Sequence, residues 1–238
     1  MHSSNHLCGG GLLTEKTVLT AAHCCDRISD LNSAKVSAGS DILDHNLISD
    51  LSKIHILYPD FELHNNTSQD LKNSHATFWT HDLCVLILDH HLPRNEYIAP
   101  IEYEQNINLP KLGEKCQVPG WNYNRNITIV DDSICSEVFE KYNINKPEQA
   151  NLGCAQGEDN VQCFGDESTP IVCNGKLSGV LIHCDNRLAA FTRYVQCVSP
   201  RGAFFTAGLD LASSASTYKI CLLYLELQSW SHSVHITY

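Results

Sequence analysis

The 238-residue chain carries little positive charge: 16 Lys and Arg against 27 Asp and Glu give a formal net charge of −11. No cluster of basic residues occurs, which excludes the electrostatic footprint that nucleic acid or an anionic membrane surface demands. Long apolar runs are missing as well. The longest near the end, Ile220 to Tyr224, falls far short of the roughly 20 residues of a membrane-spanning helix. There is no internal repeat, no low-complexity block and no Pro- or Gly-rich linker, so the length suits one large domain or two small packed ones. Metal signatures are also lacking. The 13 His show no HExxH-type spacing, the Cys form no paired CxxC knuckles, and the loop from Asp41 to Asp50 has no dense carboxylate run. Neither a zinc site, nor a calcium site, nor any cofactor is therefore expected. No basic start followed by an apolar stretch is visible at Met1, so a signal peptide is not read there and the N-terminus reads as incomplete.

What the chain has in quantity is cysteine. Its 12 Cys are scattered from Cys8 to Cys221, the distribution of bridges tying distant segments in an oxidised, secreted protein. Asn65-Asn66-Thr67-Ser68 offers two overlapping glycosylation acceptors, and Asn126-Ile127-Thr128 a third. The 43% of hydrophobic residues supplies a core and rules out wholesale disorder. Short β-branched and aromatic runs recur between turn residues: Leu12 to Thr20, Ile54 to Tyr58, Cys84 to Leu88, Ile171 to Cys173 and Gly179 to Ile182. That rhythm predicts an all-β sandwich or barrel. Two helical segments are expected beside it. Ser136 reads as the N-cap of a short helix through Tyr142, with Glu137 and Glu140 near its positive end. Ile220, Leu223, Leu227 and Trp230 recur at helical spacing. The polar stretch Phe61 to Thr80 reads as a long surface loop.

Three segments carry chemistry. In the first, His6-Leu-Cys-Gly-Gly-Gly-Leu-Leu-Thr-Glu-Lys-Thr-Val-Leu-Thr-Ala-Ala-His23-Cys24, a strand leads into a turn presenting a His. In the second, His81-Asp82-Leu-Cys-Val-Leu-Ile-Leu88, an Asp stands at the mouth of an apolar strand. The third is Cys163-Phe-Gly165-Asp166-Glu167-Ser168-Thr169-Pro170-Ile-Val-Cys173. A lone buried His or strand-end Asp is usually structural. Found together in the order His, Asp, Gly-Asp, they point to acyl-transfer chemistry.

On these blocks, with Cys116-Gln-Val-Pro-Gly-Trp121, residues 6 to 194 resemble the trypsin/chymotrypsin-like serine proteases. The resemblance implies two packed six-stranded antiparallel β-barrels with the site in the cleft between them, spanning residues 1–196 with the first strand missing at the N-terminus. Residues 197–238 are then a divergent C-terminal tail. In it, Tyr224 to Trp230 is the candidate for the family's short terminal helix displaced by an insertion, while 198–218 read equally as intronic read-through. Carried over motif by motif, the bridges are Cys8–Cys24, Cys116–Cys173, Cys135–Cys154 and Cys163–Cys184. Cys25, Cys84, Cys197 and Cys221 are left without a partner, and Cys84 reads as a small core residue.

By the same resemblance His23 is the general base and Asp82 the carboxylate that orients it. The family's Gly-Asp-Ser-Gly-Gly-Pro block is here Gly165-Asp166-Glu167-Ser168-Thr169-Pro170, so Glu167 takes the place of the nucleophilic Ser. The backbone amides of Gly165 and Glu167 are what remains of the oxyanion hole, and Val161 falls at the floor of the specificity pocket. A one-residue slip to Ser168 is not expected to restore attack, because successive side chains diverge and a displacement of ~1 Å already costs about 10²-fold. An ionised Glu167 is expected to pair with His23 instead. After Gly179 the strand Val180-Leu-Ile-His-Cys184 is shorter than the family's peptide-docking edge.

The expectation is a secreted, monomeric serine protease homologue without peptidase activity. It would bind a protein ligand as decoy, inhibitor or cofactor of a host or endogenous protease cascade. Inactive paralogues of that kind occur in arthropods, including parasitic mites. The alternative is an active serine-type endopeptidase whose sequence carries errors at the nucleophile and both ends, and a third reading is a non-functional gene product.

Overall fold

A computed structural model of the chain describes residues 6–39, 47–56, 61–65, 77–103, 110–120, 123–144, 152–158, 167–185, 187–193 and 233–237. Within these the chain is nearly all strand, in two bodies built on the alternation of β-branched and apolar residues noted above. The first is a closed barrel. It uses β1 (His6–Thr14), β2 (Thr17–Thr20), β3 (Lys35–Ala38), β4 (Leu47–Ile56), β7 (Cys84–Leu88) and β15 (Ser233–Thr237), in the order β1-β15-β3-β4-β7-β2. The sequence run Leu12 to Thr20 is thus two strands rather than one. They are folded back at Glu15 and Lys16, where the Lys16 amide donates to the Thr14 hydroxyl at 3.2 Å. Leu12, Val18, Leu19, Val36, Leu86 and Leu88 fill the interior, each at most 1% exposed.

The second body uses β9 (Lys115–Gly120), β10 (Tyr123–Val130), β11 (Leu152–Gly157), β12 (Pro170–Cys173), β13 (Lys176–Asp185) and β14 (Leu188–Arg193). Their order is β12-β9-β10-β11-β14-β13, and β12 also pairs with β13, so the sheet curls back on itself. The two-residue β8 (Glu102–Tyr103) runs parallel to the start of β13. The hairpin between β12 and β13 turns on Asn174 and Gly175, both at positive φ (50° and 77°), as a two-residue hairpin loop requires. Phe191 is the central side chain. A Cβ on Gly153 would lie 2.4 Å from its ring, so that position stays glycine to make room for it.

Several local expectations are corrected. Phe61 to Thr80 is not all loop: β5 (Glu62–Asn65) and β6 (Thr77–Thr80) pair as an antiparallel ladder. The short helix exists as α2 (Ser136–Lys141), but Ser136 is its first residue and not its cap. Cys135 takes the cap position without a side-chain bond. The capping is done one turn earlier, where Asp131 accepts from the Ser133 amide at 3.0 Å and opens a 3-10 turn over Asp132–Cys135. Ile220 to Trp230 lies outside the described residues. Ser233–Thr237, in the segment set apart from the domain by the sequence, is a strand of the first barrel.

The barrels meet along β1 and the turn before β12. The Gly9 amide donates to the Glu167 carbonyl at 3.0 Å and the Ile101 amide to the Leu12 carbonyl at 2.7 Å. The backbones approach closely enough that a Cβ on Gly9 would lie 2.7 Å from Thr169 Oγ1, and one on Gly11 2.9 Å from Ile101 Cδ1. The Gly-Gly-Gly run is what permits this approach.

Candidate active site

β2 ends at Thr20, whose hydroxyl donates to the Gly9 carbonyl at 2.8 Å. The chain then turns through Ala21 into the single helical turn α1 (Ala22–Asp26). That turn presents His23, 5% exposed, at the barrel junction. Asp82 arrives from the other side, just before β7, and is fully buried. It holds His23 twice: Oδ1 accepts from the His23 amide at 2.8 Å, and Oδ2 lies 2.6 Å from ring Nδ1. An acceptor-only carboxylate at Nδ1 fixes the proton on that nitrogen and turns Nε2 outward, the orientation a general base needs.

Cys24 Sγ lies 3.3 Å from His23 Nε2, and the same sulfur lies 2.8 Å from Ser168 Oγ. Cys24 is bridged to Cys8 and has no S–H, so the Ser168 hydroxyl is the donor. Ser168 is fully buried at φ 72°, and its amide donates to the Leu181 carbonyl at 2.8 Å. The Leu181 amide returns a bond of 2.9 Å to the Thr169 carbonyl. Glu167, partly exposed, is held through its backbone by the Gly9 amide. Cys8, Cys24 and His23 place three ligand-type atoms within 4.8 Å of one another. Both sulfurs are spent in one disulfide, and in that form they offer no metal thiolate.

Of the other predicted residues, Val161, Cys163, Gly165 and Asp166 lie outside the described residues. Asn126 is exposed on β10, the placement a glycan acceptor needs. Cys8–Cys24, Cys116–Cys173 and Cys135–Cys154 are bridged. Cys184 is disulfide-bonded too, its expected partner Cys163 being outside the described set. Cys84 is a correction. It is fully buried, but as half of a Cys25–Cys84 bridge that the sequence reading missed. The available signal was placement: Cys25 follows His23 by two residues and Cys84 follows Asp82 by two. The bridge therefore ties together the two elements that carry the dyad. Beyond Gly179, β13 runs through a bulge at Ile182 and pairs with β14 up to Asp185 opposite Leu188. Two residues, 186 and 187, separate Asp185 from Leu188 along the chain.

A family model described as trypsin matches residues 1–197. The chain belongs to the trypsin family. Among curated proteins it is 27% identical over 224 residues to the thrombin-like enzyme barnettobin of Bothrops barnetti, covering 88% of this chain and 79% of that one. It is 29% identical over 197 residues to the serine protease sp-Eoc49 of Echis ocellatus, covering 76% and 68%. Among solved structures, neuropsin from mouse brain superposes with a TM-score of 0.60 at 21% identity over 81% of this chain and 86% of that one. Kallikrein-related peptidase 10 superposes with a TM-score of 0.58 at 22% identity and the same coverage. In this trypsin-family chain the two-barrel architecture expected from the sequence is therefore the observed one.

Proposed function

We propose that this trypsin-family protein is a secreted serine protease homologue without peptidase activity, acting by binding a protein, as decoy, inhibitor or cofactor of a protease cascade. The observation that carries the reading is the turn 167–168. Where the family motif places its nucleophilic hydroxyl, the chain has Glu167, and the adjacent Ser168 hydroxyl is engaged by the Cys24 sulfur at 2.8 Å. A carboxylate is a poor nucleophile toward amides, and its charge opposes the developing oxyanion that backbone amides would stabilise. Four disulfides between described residues, with Cys184 bridged as well, support an oxidising, extracellular setting. A rigid double barrel presenting loops suits recognition of another protein.

The intact His23–Asp82 pair favours a second reading, an active serine-type endopeptidase cleaving peptide bonds in secreted proteins. One experiment separates the two. An active-site-directed fluorophosphonate leaves the purified protein unlabelled by intact mass on the first reading. Stoichiometric addition at a serine refutes it and establishes the second.

A further inference from the structure

Beside the dyad, Cys8, Cys24 and His23 form a cluster whose sulfurs take no part in acyl transfer. Cys8, on β1, and Cys24, on the helical turn α1, are bridged with their Cα atoms 6.3 Å apart. The two sulfurs and one ring nitrogen of His23 lie within 4.8 Å of one another. All three residues are buried: Cys8 is 1% exposed, Cys24 0% and His23 5%. Cys24 follows Cys8 by 16 positions, so no CxxC spacing announces the group. Asp82 Oδ2, 2.6 Å from Nδ1, fixes the ring, and a carboxylate behind the imidazole is the usual outer partner of a metal-bound His. The Ser168 hydroxyl, 2.8 Å from Cys24 Sγ, supplies a hydrogen bond to that sulfur.

In the bridged form neither sulfur is a thiolate. Reduction changes that. A dithiol attacks the bridge, gives it two electrons and two protons, and closes to its own disulfide, leaving Cys8 and Cys24 as thiols. Two buried thiolates without a counter-charge are costly. Zinc(II) displaces both thiol protons, and its two positive charges cancel the two negative ones. With a neutral imidazole as third ligand, the set is two cysteines and one histidine with a fourth position open. The spacing is close to what this needs. Tetrahedral bonds of about 2.3 Å to sulfur and about 2.0–2.1 Å to nitrogen put sulfur about 3.6 Å from nitrogen, and Cys24 Sγ already stands 3.3 Å from Nε2. The two sulfurs must part, to about 3.8 Å. We propose that the reduced Cys8–Cys24 pair and His23 Nε2 form a zinc(II) site, opened and closed by thiol–disulfide exchange. Zinc on Nε2 takes the nitrogen a general base uses, so metal binding and the base role of His23 exclude each other. This assignment is independent of whether the bridged protein hydrolyses anything.

The test places the purified full chain in dithiothreitol buffers of graded reduced-to-oxidised ratio, with free zinc(II) either absent or held constant by a chelator. Quenching with iodoacetamide and peptide mass mapping read which bridges are open. Because zinc binds only the open form, it is expected to lower the ratio at which Cys8–Cys24 is half open by about tenfold or more. Cys25–Cys84, Cys116–Cys173 and Cys135–Cys154 are expected not to move. In His23→Phe the zinc effect is expected to vanish. A Cys8–Cys24 ratio that zinc leaves unchanged refutes the site. So does an equal shift at every bridge, the mark of zinc scavenged by an unfolded chain, and so does a shift retained in His23→Phe. Cobalt(II) in place of zinc reads the ligands in the unsubstituted chain, which decides the matter where His23→Phe does not fold. Thiolate-to-cobalt charge-transfer bands and a paramagnetically shifted Nδ1 proton of His23 are expected once Cys8 and Cys24 open. Absence of either signal sinks the proposal.

Discussion

Replacing both cysteines of the Cys25–Cys84 bridge with alanine tests the scaffold beneath the dyad. The bridge closes a loop with a sequence separation of 59. In the chain-entropy account a cross-link over a loop of that length removes about 14 cal/mol/K from the unfolded ensemble, worth about 4 kcal/mol at 25 °C. At 2–4 °C per kcal/mol for a domain of this size, Tm is expected to fall by roughly 8–16 °C. The double substitution is the right perturbation because a single one leaves a buried thiol free to exchange with the Cys8–Cys24 bridge, whose Cys24 adjoins Cys25 in the same core. The functional consequence is local. Cys25 sits on the turn that carries His23 and Cys84 opens the strand that follows Asp82, so the variant loosens the element pair that holds Nδ1 against Oδ2. Calorimetry gives the first number. The second comes from the imidazole Nδ1 proton of His23, which in NMR is expected to broaden in the variant before the barrel melts. A Tm within about 2 °C of wild type, or a native protein whose Cys25 and Cys84 alkylate without reduction, refutes the pairing and the argument built on it.

Three further outcomes are expected. Gly153→Ala drives a methyl group to 2.4 Å from the Phe191 ring and should destabilise by about 1–3 kcal/mol; a variant as stable as wild type in urea would show that the second core has slack. Glu167→Ser alone should leave amidase activity at background, because only two residues, 186 and 187, still separate Asp185 from Leu188. A kcat/KM on the order of 10⁴ M⁻¹s⁻¹ or above, the lower end of ordinary enzymes, contradicts this. The Lys35 ammonium beside Asp50 holds that carboxyl below its ordinary value of 3.8 through a hydrogen bond and the opposite charge. A depressed carboxylate contributes stability above its unfolded pKa and loses it as pH falls through the lowered one. Lys35→Met should therefore move the Asp50 carboxyl resonance midpoint upward and flatten the acid limb of the stability profile, and an unmoved midpoint would show that the pair does not form in solution.

The dyad was legible in the sequence because each half is announced locally, by Thr20-Ala-Ala-His23 on one side and Asp82 before an unbroken apolar strand on the other. The Cys25–Cys84 bridge was not, since its partners are distant in the chain and four cysteines remained after the motif-based pairs were drawn. The β5–β6 ladder escaped because a polar strand such as Glu62–Asn65 carries no apolar alternation. β15 escaped for a different reason. Ser233-Val-His-Ile-Thr237 alternates at a period of two, but five residues at the end of a chain say nothing about which sheet they join. Strand pairing is a long-range choice, made here by the gap between β1 and β3. Ser136 shows the limit at helix ends, where the residue type fits a cap but the position was one turn too late.

The turn at 167–168 separates what the fold needs from what chemistry needs. Its shape is set by main-chain bonds: Gly9 amide to Glu167 carbonyl, Ser168 amide to Leu181 carbonyl, Leu181 amide to Thr169 carbonyl. None of the three depends on the side chain at 167. At 168 the backbone sits at φ 72°, where a residue with a Cβ costs about 1–2 kcal/mol. The chain tolerates a serine there because bonds on both sides over-determine the conformation. Substitution at this turn is thus inexpensive in stability, a kcal/mol or so against a typical total of about 5–15. The same change at a nucleophile costs on the order of 10⁶ in rate. On the reading proposed above, a barrel junction fixed by backbone persists where its chemistry is lost, and the His23–Asp82 pair is kept because it also bonds the chain through Asp82 Oδ1 and the His23 amide.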